Sequence, residues 1–223
     1  DKSNFSITFE NIKNAVTPET KAIVLVHAMG FDAMSDELLS FVRDNDILLI
    51  EDCCESHGAT HNGKRIGTFG DMSNFSFYFG HHITTVEGGV VCTNNPLISE
   101  YFRLFRSHGM TREASKELQQ KYQTKYPDLN PLFTFAVPGY NMRNMEINAV
   151  LGIEQMKRLD DNIARRVENF NCWNSNLDAE RFFTSYKSKG NSNFALPLVL
   201  NKKDKQLLNR VCQFLEKVGV EYR

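Results

Sequence analysis

Residues 75–94, FSFYFGHHITTVEGGVVCTN, set two adjacent imidazoles, His81 and His82, between an apolar run and the glycine-rich turn Glu87-Gly88-Gly89. An imidazole titrates near neutrality, so a histidine held at the mouth of a strand can take up and return protons. Asp52 closes a second apolar run, residues 46–50 followed by Glu51. Such a carboxylate either caps the next turn or is a buried anion that keeps a proton on a ligand nitrogen. Ser76 lies on the strand before the histidines, where its hydroxyl could reach a phosphate; taken alone, a strand serine is a structural donor. Asn141 and Arg143, in PGYNMR, either open the helix that follows or reach an anion across a subunit boundary. Cys53, Cys54, His57 and His61 fall within nine residues. Gly58 and the Asn62-Gly63 turn separate the two imidazoles, and no C-x2-C spacing is present, so no metal site is expected.

These side chains need elements to hold them. Residues 21–27 read as a buried strand, residues 35–43 as a helix with Ser35 as N-cap, and residues 46–50 as a second buried strand. Strand, helix and strand in this order require parallel pairing with a right-handed crossover. Residues 74–79 and 89–93 add two strands, and residues 96–107 form an amphipathic helix. In a parallel α/β sheet ligands sit beyond the carboxyl ends of the strands. His27, Glu51-Asp52 and Gly80-His81-His82 all fall at such ends.

Elsewhere, residues 9–16 read as a helix and residues 110–133, which lose apolar periodicity, as a long exposed excursion. Residues 145 to about 173 read as one long helix, 193–200 as a strand, and 205–217 as a helix capped by Gly219, with a strand beginning after it. The expected organisation is a large α/β domain over residues 1–158 and a smaller α+β domain over 159–223. Both ends read as cut, which makes the chain part of a longer enzyme.

The totals exclude several classes. With 223 residues, 41% hydrophobic, the chain can bury a sizeable core, and a net charge of −1 gives no footprint for nucleic acid or an anionic membrane. No apolar segment approaches the roughly 18 residues of a membrane span. Five cysteines without a C-x-x-C pair point to a reducing, cytoplasmic setting. No G-x-G-x-x-G follows the first strand, which counts against a nicotinamide-binding domain.

Read in order, Glu51-Asp52-x-x-Glu55-x-His57-Gly58-Ala59, Gly67-x-Phe69-Gly70-Asp71, Phe75-Ser76-Phe77-Tyr78, Glu87-Gly88-Gly89, Arg106-x-His108-Gly109 and Gly139-Tyr140-Asn141-x-Arg143 form a series. It resembles the DegT/DnrJ/EryC1/StrS family of fold-type I pyridoxal-phosphate enzymes, which act on nucleotide-linked keto sugars. The resemblance covers most of residues 8–223 and implies a mixed, mostly parallel sheet with flanking helices, followed by part of a small α+β domain. It also implies roles. Asp52 would pair with the cofactor's pyridine nitrogen, Glu55 would lie near its 3-hydroxyl, where aminotransferases carry Gln, and Ser76 would bind its phosphate. Asn141 would reach that phosphate from the other subunit of a homodimer. Arg143 and His82 are candidate substrate contacts, though His82 can equally be a packing residue.

One position departs from the aminotransferase pattern. Where those members carry the Schiff-base lysine, this chain has His81. Imidazole has no primary amine and cannot hold the aldehyde cofactor covalently, but it can act as a base. His-His-Ile-Thr at this place resembles the sugar 3-dehydratase branch of the family. The resemblance then implies noncovalent pyridoxal phosphate, converted by L-glutamate to pyridoxamine phosphate, and loss of the C3 hydroxyl from a nucleotide-linked 4-keto-6-deoxy sugar. His81 would move the proton at cofactor C4′, in deoxysugar and O-antigen biosynthesis. Some dehydratases of this branch carry an iron–sulfur cluster; Cys54 sits where one ligand would, but Cys92, Cys172 and Cys212 are too dispersed to complete it. The residues do not choose between GDP and CDP sugars. The rival reading is an aminotransferase relative that has lost its lysine and serves as a non-catalytic sugar-binding or regulatory protein.

Overall fold

Four short apolar runs pair into the sheet that carries the site. The computed structural model describes residues 1–222. Helix α1 (Phe9–Ala15) leads to strand β1 (Ala22–Val26), helix α2 (Asp36–Asp44) and strand β2 (Leu48–Asp52). A two-residue hairpin, β3 (Thr60–His61) with β4 (Lys64–Arg65), precedes β5 (Met72–Ser76) and β6 (Gly89–Cys92). The main sheet has the order β1-β2-β5-β6. The first two pairings are parallel and the last antiparallel. Their register sets Val26 beside Asp52, Asp52 beside Asn74, and Ser76 opposite Gly89.

Side-chain alternation assigns the two faces of this sheet. Leu25 and Leu49 point to one side and pack with Ile12, Leu38, Val42 and Ile47. Their neighbours Val24 and Val26 point the other way and stay exposed. The Ser35 hydroxyl accepts the Leu38 N–H at 3.2 Å and starts α2 as expected. A second cluster joins distant parts of the chain, with Phe31 packed edge-on to Phe170 at 5.8 Å and tilted against Tyr186 at 5.9 Å.

The remaining helices are α3 (Pro96–Arg106), α4 (Lys116–Lys125), α5 (Glu146–Met156), α6 (Leu159–Ser175) and α7 (Lys205–Lys217). No helix among the described residues is long and apolar enough to cross a membrane. Four local expectations need correction. The excursion over 110–133 contains α4, a helix with no buried residue, started by Ser115 rather than by an apolar stripe. The stretch read as one helix is two, α5 and α6, broken at Lys157-Arg158. The strand expected over 193–200 is reduced to a single bridge between Leu200 and Phe182, since Asn193 adopts φ 46° and Pro197 has no N–H to donate. Residues 220–222 form no strand.

The end of β2 is fixed by a buried anion. Glu51 is fully buried, and its carboxylate accepts N–H groups from Gly67 (2.6 Å), Phe69 (2.8 Å) and Gly70 (2.7 Å). His27 Nδ1 accepts the Ala33 N–H, so its ring proton sits on Nε2, 3.4 Å from Glu51 Oε2. Burial alone would raise the Glu51 pKa; His27 and the three backbone donors outweigh it and hold it below the ordinary 4.5. Glu51→Gln turns an amide N–H against backbone donors, and should cost about 3 kcal/mol of unfolding free energy in urea titrations. Because the folded value is depressed, the contribution of Glu51 is complete above about pH 4.5. It is lost as pH falls through the lower folded value, so the variant should show a flatter acid limb.

Candidate active site

The parallel register brings three chain segments to one end of the sheet: His27 after β1, Asp52 to Glu55 at the end of β2, and Asn74 to Ser76 at the end of β5. Asp52 is half-buried. Its Oδ1 accepts the Cys54 N–H at 3.1 Å and the Asn74 side-chain N–H at 3.0 Å. Among the described residues its Oδ2 has no hydrogen-bond partner. Glu55 Oε2 accepts the Met29 N–H at 2.7 Å and ties the turn after β2 to the turn after β1. The Ser76 hydroxyl accepts the Tyr78 N–H at 3.2 Å as the chain leaves β5.

That departure begins the histidine loop, residues 77–88. It is pinned from within, since Thr85 N–H donates to the Phe77 carbonyl and Phe77 N–H to that of Gly88, both at 2.9 Å. From α5, the Asn148 amide donates to the carbonyls of Thr85 (3.2 Å) and Glu87 (2.7 Å). A Cβ at Gly88 would collide with the Thr85 hydroxyl. The loop presents His81 between Phe194 (ring centroids 5.5 Å apart), Tyr78 (5.8 Å) and His57 (6.3 Å). His81 Nδ1 is buried without a hydrogen-bond partner.

His57, beside this loop, and His82, within it, are neutral imidazoles. The His57 ring lies 5.6 Å from that of His82, and neither of its nitrogens has a hydrogen-bond partner. Burial, then His82 and His81, push its pKa down to about 4, with only the nearby Ser76 backbone opposing. His82 Nε2 donates to the Ser192 carbonyl at 3.0 Å. Burial pushes its pKa down to about 4 as well, against that carbonyl and with help from Arg166 and His81. Ser192 and Phe194 are carried by a segment that docks on the turn after β1, with Ser192 N–H on the Gly30 carbonyl (2.8 Å) and Phe194 N–H on that of Met29 (2.9 Å). Gly30 has φ +83°, and a Cβ there would lie 2.5 Å from the Asn193 nitrogen.

Not every expected residue converges here. Asn141 and Arg143 are exposed and pair with each other, Arg143 Nε donating to Asn141 Oδ1 at 3.4 Å. They lie on a strand-like segment bridged to Ser107, with no hydrogen bond to the histidine loop among the described residues. His57 and His61 part company. His61 turns to Asp32, at 2.8 Å, and Asp36, at 3.3 Å. His27, Glu51 and Cys53 do bring ligand atoms within 4.8 Å of one another. The Cys53 thiol is pushed far up by burial and by the Glu51 and Asp52 charges, and the Glu51 carboxylate is already committed to three backbone donors. Asn74, His57, Ser192 and Phe194 were missed as site residues. Asn74 had a signal, being two residues before Ser76 and so on the same strand face; Phe194, far along the chain, had none.

The chain matches the model of the DegT/DnrJ/EryC1/StrS aminotransferase family over residues 1–223. The chain belongs to that family. A curated relative, the GDP-4-keto-6-deoxy-D-mannose 3-dehydratase of Escherichia coli O55:H7, is 34% identical over 224 residues, which cover all of this chain and 58% of that protein. The E. coli GDP-4-keto-6-deoxy-D-mannose-3-dehydratase solved with bound hydrated PLP superposes with a TM-score of 0.87 at 33% identity, over all of this chain and 58% of that one. A further structure of the dehydratase, with a trapped PLP-glutamate geminal diamine, has the same TM-score, identity and coverage. This family member therefore has the fold-type I architecture and spans little more than half the length of these relatives.

The neutral histidines make a measurable claim. Between their ordinary value of 6.5 and about pH 4, the unfolded chain binds protons at His57 and His82 that the folded chain refuses. Stability must therefore fall on acidification through that window, by up to about 1.4 kcal/mol per pH unit for each group. His57→Phe keeps the ring packing and should remove about half of this slope in urea unfolding measured between pH 7 and pH 4.

Proposed function

We propose that this protein removes the C3 hydroxyl of a nucleotide-linked 4-keto-6-deoxy sugar, using pyridoxal phosphate and its pyridoxamine form, with L-glutamate as amino donor. The observation that carries this reading is an imidazole in place of a lysine, between the Phe75-Ser76-Phe77-Tyr78 and Glu87-Gly88-Gly89 motifs of the family series. Residues 75–95 contain no lysine at all.

The residues at the site suit such a cofactor. Asp52 has one carboxylate oxygen uncommitted, Ser76 stands at the mouth of β5, and His81 keeps a buried ring nitrogen without a partner. Asp52 would hold the proton on the ring nitrogen, Glu55 would face the 3-hydroxyl, and Ser76 would take the phosphate. Once bound, the pyridoxamine form supplies an amine for the sugar ketone and a ring that accepts an electron pair. His81 removes the proton at C4′ and returns a proton to the hydroxyl that leaves sugar C3. Tyr78 and Phe194 hold its ring from two sides.

Asn141 and Arg143 belong in this reading to the neighbouring site of a homodimer. What supports this is the surface around them: Tyr140, Met142, Met145 and Ile147 are each more than 60% exposed. An apolar rim around two polar groups suits contact with a second subunit.

The test uses the chain with pyridoxal phosphate, L-glutamate and GDP-4-keto-6-deoxymannose, following ammonia release. His81→Asn should lower the rate by about 100-fold or more, while a variant at the wild-type rate removes His81 from the chemistry. His81→Lys should link covalently to the cofactor on borohydride reduction, whereas the wild type should not.

A further inference from the structure

Asp52 ends a strand, and a carboxylate at a strand end rotates freely about its last bond unless something holds it. Here two donors converge on one oxygen, the Cys54 backbone N–H at 3.1 Å and the Asn74 amide at 3.0 Å, both on Oδ1. The Asn74 amide also reaches Cys54 Sγ at 3.2 Å, so its NH2 end faces two acceptors and its orientation is set. Asn74 occupies the β5 position in register with Asp52, and its backbone carbonyl accepts the Cys53 N–H at 2.9 Å. The strand pairing therefore delivers this donor to the carboxylate. Cys54 keeps its proton, since burial and then the Asp52 carboxylate push its thiol up to about 11, so no second anion competes beside Asp52.

We propose that Asn74 is a positioning residue for the cofactor ring nitrogen: by saturating Oδ1 of Asp52 it turns Oδ2 toward the ligand as the acceptor of a pyridinium N–H. The proposal rests on the reading of Asp52 given above and adds the residue that makes that carboxylate directional. Asn74 acts through Asp52, with no ligand contact of its own. A charge-assisted hydrogen bond depends on alignment, so a carboxylate free to swing binds the same cation less well.

The distinguishing probe is a ligand without the ring nitrogen. Pyridoxal phosphate and its 1-deaza analogue, in which CH replaces that nitrogen, are titrated into the whole chain and followed by quenching of Trp173 and tyrosine fluorescence. The wild type should prefer pyridoxal phosphate. Asn74→Leu and Asn74→Ala should each weaken pyridoxal phosphate by about tenfold, the worth of one such hydrogen bond, and leave the deaza analogue unchanged. Variants that keep the wild-type preference, or lose both ligands equally, overturn the role of Asn74. Asp52→Asn identifies the other failure: if it leaves the preference intact, or if the wild type shows no preference or binds neither ligand, the Asp52 reading falls and takes the Asn74 role with it.

Discussion

Glu51 is an anion cut off from water, matched by three backbone N–H groups from residues 67–70 and faced by His27. Charge-assisted bonds of this kind are about twice as strong as neutral ones, and leaving such a carboxylate without donors would be costly. The turn over 67–70 is therefore held to the end of β2. Asp71 at its exit accepts the Leu49 N–H at 2.8 Å, and one residue later β5 begins. The register that sets Asn74 beside Asp52 follows from this anchoring. Glu51 and Asp52 are neighbours with opposite tasks because successive side chains on a strand leave opposite faces. One carboxylate is spent on the scaffold, and the other keeps an oxygen without a partner among the described residues.

The histidine loop depends on a different kind of restraint. A lysine that binds its cofactor covalently is located partly by that bond, whereas a noncovalent base, the role proposed for His81, must be located entirely by its neighbours. His81 has such neighbours on several sides: Tyr78 from its own loop, His57 from the turn after β2, and Phe194 from a segment more than a hundred residues further on. That distant segment is carried in by the Met29-Gly30 turn, where only a residue without a side chain allows the approach of Asn193 and Phe194. The same Met29 is bound by Glu55. The turn after β1 thus connects the carboxylate side of the site to its imidazole side.

Much of this was legible because the framework is local. The βαβ unit, the caps of α2 and α7 and the strand-end positions of Asp52 and Ser76 each follow from a few adjacent residues, whereas His81, expected at the mouth of a strand over 74–79, lies in a loop five residues past the end of β5. The errors came where local pattern underdetermines structure. At the break between α5 and α6, Lys157 and Arg158 both keep right-handed helical angles, and neither proline nor glycine marks it. Helix α4 is the converse case: its charged faces show no stripe, and what defines it is Ser115, whose hydroxyl caps the helix while Glu100 binds the same residue. Over 193–200 the composition suits a strand, yet Phe194 gives its N–H to the Met29 carbonyl in the turn after β1, and pairing is limited to the single bridge at Leu200.

The site itself was legible as a list of positions and illegible as a set of contacts. Ser76 could be read as a ligand for phosphate from its place on a strand, and by the same alternation Asn74 lies on its face one pair earlier. What alternation cannot reveal is that Asn74 stands opposite Asp52, since register between strands depends on how the Glu51 carboxylate meets the 67–70 turn rather than on the pattern along either strand. His57 shows the same limit from the other side. Gly58 and the Asn62-Gly63 turn already argued against a metal set with Cys53, Cys54 and His61, but only the fold shows that His57 turns toward Phe75, Phe77 and the two loop histidines. Buried among aromatic rings, with no anion beside it, an imidazole gives up its charge. His57, the ring 6.3 Å from His81, is thereby neutral near pH 7, and a cation the fold brings to this end is Arg166, whose guanidinium donates to the Phe194 carbonyl at 3.0 Å.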